Sequence, residues 1–215
     1  MANNLVPAAT TLFLLLLTLT TADKDSDLIL HVEGNPLEVG SEYYIRRAVG
    51  FFGGIVRSGR DGQWRSHHGV SGVTRHPFQK KIDRGDPVKF APVDETRKEI
   101  HLSSEVQIDS GLSAYCRSDG FWRVSFDAYT RGDVIIASGT FGVPCSSFRI
   151  EKTEGSHNAY KIAYSPPTTS SLQQRYLTVF RDLLSGLKLV GLTDDSTQGL
   201  LFVFYKKTKD VAASY

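Results

Sequence analysis

The densest set of chemistry-bearing side chains lies between Arg57 and Arg84. Five arginines and two lysines (Lys80, Lys81) stand there against Asp61 and Asp83, a net +5. His67, His68 and His76 add further positive charge in acidic fluid. Arg60, Arg65, His67 and His68 are therefore candidates for holding an anionic glycan, a cell-wall polymer or a membrane surface. The plainer reading is a set of solvated loops. Adjacent histidines on a strand point to opposite faces, and no His-x-His or His-x3-His spacing accompanies the pair. No metal centre and no cofactor are expected.

Other catalytic patterns are missing. The sequence holds no zinc-protease helix motif and no phosphate-binding glycine loop. Gly69-Val70-Ser71-Gly72 misses the nucleophile elbow. Scattered Ser, His and Asp do not make a triad. The expectation is a protein that acts by binding and not by catalysis.

Whole-chain properties narrow the classes further. The chain has 215 residues, 40% hydrophobic and 22% charged, with a net charge of +2. Such proportions exclude a disordered tail and give no global case for a nucleic-acid binder. Two cysteines, Cys116 and Cys145, rule out a cysteine-dense mini-scaffold and a four-cysteine zinc site. Leu12–Leu17 reads L-F-L-L-L-L, and no charged residue precedes Asp23. That apolar core is far shorter than the roughly 20 residues a membrane span needs. It reads as a secretory signal peptide over 1–22, leaving one domain over 23–215. A secreted or vacuolar product is expected, without a membrane span and acting as a monomer.

The elements that must position any site are short strands. Leu28–Val32 opens, and Gly34-Asn35-Pro36 turns. Tyr43-Tyr44-Ile45, Val88-Lys89-Phe90 and Ile100–Ile108 follow, the last with Ile100, Leu102, Val106 and Ile108 on one face at period two. Trp122, Val124 and Phe126 alternate with polar neighbours, and Val134-Ile135-Ile136 reads as buried on both sides. Phe148–Ile150, Tyr160–Ile162, Leu187–Val190 and Leu200–Tyr205 complete the set. The best helical spacing, Leu172–Leu184, has a Thr178-Val179-Phe180 centre that is equally strand-like. About twelve strands punctuated by Gly, Asp-Gly and Pro point to an all-β sandwich or barrel, and their number suits a closed barrel with caps.

Residues 33–45, E-G-N-P-L-E-V-G-S-E-Y-Y-I, resemble the N-terminal signature G-N-P-L-x-x-G-x-x-Y-Y-I of the Kunitz soybean trypsin inhibitor family of plant proteins. Phe52-Gly53-Gly54-Ile55 is similar to its next segment, and Gly85–Val93 to its G-x-P-V-x-F-x-P-V stretch. Ile100–Ser104, Phe148–Lys152, Tyr160–Tyr164 and Leu200–Lys207 match further segments in family order. The resemblance implies a β-trefoil: twelve strands in three pseudo-repeats, six closing a barrel and six capping it as hairpins. The repeats would fall near Leu28–Phe90, Ala91–Glu151 and Lys152–Tyr205.

It also implies a function. Members inhibit endopeptidases, serine proteases foremost and cysteine proteases as well, in defence, by presenting an exposed loop to the protease cleft. That loop would lie within residues 93–99, with Asp94, Glu95, Thr96, Arg97 and Lys98 as reactive-loop residues. Arg97 or Lys98 would suit a trypsin-like pocket, whose base carries a carboxylate. The alternative within the family is a non-inhibitory storage or miraculin-like protein, or an anionic-glycan-binding trefoil.

Departures from the family pattern are specific. Inhibitory members brace the loop with an Asn before the Gly of the P-L-x-x-G turn, where this chain has Val39, whose side chain neither donates nor accepts. Most members carry four cysteines in two disulfides. Cys116 looks like the second member of the first bridge, but its partner would fall near Trp64–Ser66, where there is none, and Cys145 lies outside the family's usual positions. Three arrangements stay open: a Cys116–Cys145 bond, two free thiols, or an intermolecular bond.

Overall fold

The structure is a computed structural model that describes residues 27–49, 55–57, 64–66, 85–111, 120–128, 131–143, 146–153, 155, 157–164, 174–181 and 188–208. Twelve strands run through these residues: β1 (Glu42–Arg47), β2 (Ile55–Arg57), β3 (Trp64–Ser66), β4 (Pro87–Pro92), β5 (Glu105–Asp109) and β6 (Phe121–Asp127). The second half holds β7 (Gly132–Gly139), β8 (Phe148–Lys152), β9 (Tyr160–Tyr164), β10 (Arg175–Arg181), β11 (Lys188–Thr193) and β12 (Phe202–Lys206). One 3-10 turn, Ser196–Gln198, precedes β12.

Six strands close a ring. β1 pairs with β4, β4 with β5, β5 with β8, β8 with β9, β9 with β12, and β12 returns to β1, always antiparallel. Closure leaves no free edge. The other six form hairpins: β2–β3, β6–β7 and β10–β11. These hairpins meet through β11, which pairs with β3 at Leu189↔Arg65 and with β7 at Gly191↔Val134. The fold is thus a β-trefoil, with each repeat contributing barrel strand, hairpin, barrel strand.

The inward pattern explains why these sequences become barrel strands. Every ring strand buries two residues at spacing two: Tyr43/Ile45, Val88/Phe90, Val106/Ile108, Phe148/Ile150, Tyr160/Ile162 and Phe202/Phe204. Period two puts both on one face of a pleated strand. The aromatic members interlock, with Phe204 edge-on to Phe90 at 5.2 Å and stacked on Tyr160 at 5.7 Å. Trp122 in the cap is fully buried and meets Phe148 edge-on at 6.2 Å. Val134 and Ile135 are buried and Ile136 half-buried, because β7 lies between β6 and β11.

Two sequence expectations change, and one alternative left open is decided. Leu28–Val32 is not a strand but a strap fastened by single bridges, Leu28↔His101 and Leu30↔Pro36. The run from Ile100 to Ile108 is a strand only from Glu105. Ser103 takes φ +56, and the Ser104 hydroxyl donates to the His101 carbonyl at 2.7 Å, so a turn interrupts the alternation. The stretch with the best helical spacing becomes β10, whose six-residue register with β11 holds a run rich in β-branched and aromatic residues. Phe51 and Phe52 lie outside the described residues, as do residues 1–22.

Candidate functional site

The connection from β4 to β5 leaves the barrel at Pro92, which is buried, and every residue from Val93 to Lys98 is exposed. Burial resumes at Ile100, which is fully enclosed. The exposed run is fastened at both ends. Val93 donates its amide to the Glu105 carbonyl at 3.0 Å, extending the β4–β5 ladder by one step. At the other end Glu99 bridges Glu38, and the Val39 amide donates to the Lys98 carbonyl at 2.9 Å.

Beneath that second attachment, three segments bind one another in a cycle. Ile29 donates to the Ile100 carbonyl, Ile100 to that of Leu37, and Leu37 to that of Ile29, at 3.0, 2.9 and 2.8 Å. All three side chains are completely buried. Two phenols anchor these segments to the barrel: Tyr43 accepts from the Glu38 amide at 2.8 Å, and Tyr160 from the Leu30 amide of the strap at 2.9 Å. Burial pushes the Tyr160 hydroxyl above its ordinary pKa, so it stays protonated at physiological pH. Outside the barrel, the Glu38 carboxylate accepts from Lys206 at 2.6 Å and from the Ser41 hydroxyl at 3.0 Å.

Asp94 organises the exposed bend. One carboxylate oxygen accepts from the Thr96 amide at 3.2 Å and from its hydroxyl at 2.7 Å. The other accepts from Arg97 Nε at 3.2 Å, and the Arg97 amide closes the turn onto the Asp94 carbonyl at 3.2 Å. The Thr96 hydroxyl first, then its amide and Arg97, hold the Asp94 carboxyl below the usual carboxylate range. The Asp94–Arg97 ion pair leaves 54% and 39% of the two side chains exposed. Water screens a pair so solvated, so the guanidinium is readily drawn away. Lys98 has no ion-pair partner among the described residues.

A lowered carboxyl pKa supports folding above the group's ordinary value and loses that support as pH falls through the lowered one. The bend is accordingly expected to keep its order at mildly acid pH. The Thr96 amide resonance, followed against pH, should move with a midpoint below the ordinary aspartate value of about 3.9; a midpoint above it would contradict this picture. Asp94→Ala should make the same amide exchange about tenfold faster with solvent, since it loses its acceptor.

All five predicted loop residues, Asp94 to Lys98, therefore share one exposed, tethered bend. The predicted anion-binding set is not brought together here: Arg60, His67 and His68 lie outside the described residues. Only the backbone of Arg65 is placed, in β3 beside Val56 and Leu189. Cys116 and Cys145 lie outside the described residues too. Among the described residues no group of three His, Cys, Asp or Glu is placed to hold a metal ion. Sequence reasoning missed the Val39 brace, because a backbone donor leaves no signature in side-chain chemistry. A separate open cleft of about 330 Å³ lies on the barrel wall between Glu33, Tyr44, Arg46, Tyr205, Lys206 and Thr208. Arg46 sits over the Tyr205 ring there at 4.9 Å.

Comparison with known proteins gives concordant results. The Kunitz family model described as trypsin and protease inhibitor matches residues 29–206. A protein named Kunitz-type trypsin inhibitor 1 from Selenicereus undatus is 53% identical over 174 residues, covering 81% of this chain and all of the relative. One of the same name from Selenicereus costaricensis is 42% identical over 179 residues, covering 83% of this chain and all of the relative. Among solved structures, the Kunitz-type cysteine protease inhibitor from potato superposes with a TM-score of 0.64 at 21% identity, covering 85% of this chain and 98% of the other.

Proposed function

This chain belongs to the Kunitz family of trypsin and protease inhibitors, and from that premise we propose that it inhibits a trypsin-like serine protease through the Val93–Glu99 bend, with Arg97 entering the specificity pocket. The observation that carries the reading is the tethering, at both ends, of an exposed bend that bears Arg97. A bend already ordered before binding loses less conformational entropy when a protease grips it.

The hydrogen bonds favour Arg97 over Lys98. The Lys98 carbonyl is already held by the Val39 amide. The residue in the specificity pocket must offer its own carbonyl to the protease's oxyanion donors. The Arg97 carbonyl accepts no backbone hydrogen bond among the described residues. A guanidinium also matches a carboxylate at the pocket base in a two-pronged geometry. When Arg97 leaves Asp94, the carboxylate keeps both Thr96 donors, so the bend stays folded while its basic side chain is transferred.

Val39 lacks a bracing side chain, but its backbone amide still holds the Lys98 carbonyl. The three-segment cycle beneath it supplies the stiffness that a bracing Asn side chain would otherwise add. The apolar run at Leu12–Leu17 supports release into the secretory pathway, to an extracellular or vacuolar compartment where an inhibitor of foreign digestive proteases would serve defence.

The test is a stoichiometric titration. Active-site-normalised trypsin should lose activity linearly with added protein, to an endpoint of one protein per enzyme. Full trypsin activity in the presence of excess protein would refute the proposal.

A further inference from the structure

Two opposite charges line one cleft without meeting. Arg46 on β1 and Glu33 on the strap both border the cleft of about 330 Å³ on the barrel wall. Neither side chain has an ion-pair partner among the described residues. The lysines of this wall are committed: Lys206 donates to Glu38 at 2.6 Å and Lys207 to Glu42 at 2.8 Å. A wall that closes these charges into pairs and leaves Arg46 and Glu33 apart holds a gap between the two.

Strand register explains the layout. Tyr43 and Ile45 face the core, so Tyr44 and Arg46 face outward; Phe202 and Phe204 face it too, so Tyr205 faces outward. Tyr44 stands directly opposite Tyr205 across the β1–β12 ladder. The Arg46 guanidinium lies over the Tyr205 ring at 4.9 Å. Stacked in that way, it keeps its N–H edge free for a planar acceptor. Along the other edge of β12, the Val32 amide donates to the Phe204 carbonyl at 3.0 Å, which brings Glu33 to the cleft. The turn that carries Glu33 is itself fastened. Its amide donates to Nδ1 of the buried His31 at 3.2 Å, and Asn158 Nδ2 donates to the His31 carbonyl at 3.3 Å. A cation thus stands on one wall and a carboxylate on the other, with two phenol rings beside them, on backbone already bonded in place.

We propose that this cleft binds a hydroxyaryl carboxylate, a small planar ring with a carboxylate at one end and a phenolic hydroxyl at the other. The carboxylate takes the two-pronged edge of Arg46. The ring packs on Tyr44 and Tyr205 in offset or edge-on contact. The hydroxyl donates to Glu33, a carboxylate that can only accept. Other small ligands leave a group unused. A plain inorganic anion would ignore the rings and face Glu33 as a like charge. A neutral aromatic would leave Arg46 without an acceptor. An aromatic amine would pair with Glu33 and be repelled by Arg46. The ordered walls lower the entropy cost of gripping so small a molecule. The site uses none of the Asp94–Lys98 bend, so the proposal stands or falls apart from protease inhibition.

The test follows the backbone amide resonances of the full chain during titration with para-hydroxycinnamate. Shifts should centre on Glu33, Tyr44, Arg46 and Tyr205 and should saturate. Arg46→Ala should weaken binding about tenfold or more, because a charge-assisted contact is lost. Arg46→Lys should recover part of that loss, since it keeps the charge without the fork. Glu33→Ala should weaken binding about threefold, through one hydrogen bond. An unchanged Tm certifies the folding of each variant. Galacturonate carries a carboxylate and hydroxyls but no aromatic ring, and should leave these resonances unmoved. The proposal is overturned if para-hydroxycinnamate moves none of them, or if both Arg46 variants bind it as tightly as the unaltered chain. It is overturned equally if galacturonate binds as well, which would make the cleft a site for sugar acids.

Discussion

Arg97→Ala should raise the inhibition constant for trypsin about a thousandfold or more, roughly 4 kcal/mol of binding. Lys98→Ala should raise it less than about tenfold. The contrast follows from the loop's own bonds. Lys98 is committed to the scaffold through its carbonyl and has no paired ammonium among the described residues. Arg97 carries the only long cationic side chain in the bend whose present partner is a weak, solvated ion pair. Placing it in the pocket exchanges that pair for a desolvated, two-pronged contact with a carboxylate. Arg97→Lys should recover part of the loss, since a point charge replaces a planar fork. Equal effects at Arg97 and Lys98 would mean that the register of the bend against the protease is one residue further on.

The second large effect lies beneath the surface. Ile100→Ala should destabilise the fold by about 3 kcal/mol, within the range for buried aliphatic truncations. For a domain of this size that is a fall in Tm of roughly 6–12 °C. Ile100 is wholly buried and joins Ile29 and Leu37 in the cycle under the bend. A cavity there leaves the backbone bonds in place but removes the packing that holds them rigid. Trypsin inhibition should therefore weaken as well, although Ile100 never touches the protease. Val93→Ala, at an exposed position in the same connection, should alter stability by under about 0.5 kcal/mol. A melt of both variants checks the pair. An unchanged Tm for Ile100→Ala would remove the cycle as a source of stiffness.

How far the sequence disclosed this molecule depends on which atoms carry the information. Barrel strands such as Phe148–Lys152 and Phe202–Lys206 are legible because an apolar residue at every second position has few other ways to bury itself. The strap at Leu28–Val32 looked alike and is not a strand. Its bridge partners are two single residues, His101 and Pro36, and local alternation cannot tell one bridge from a ladder. The break at Ser103 was hidden for a related reason, since serine carries no warning of a positive φ. The exposed bend was placed by resemblance to known inhibitors. Its supports were invisible: the Val39 brace is an amide group that every residue but proline has. Arg60, His67, His68, Cys116 and Cys145 lie outside the described residues.

Amide hydrogen exchange on the protein alone and in complex with trypsin addresses the central claim most directly. The account predicts that binding slows exchange across Val93–Ile100 and at Val39, with the rest of the described barrel unchanged. Slowed exchange confined to some other surface, with Val93–Ile100 left as fast as in the free protein, would contradict it.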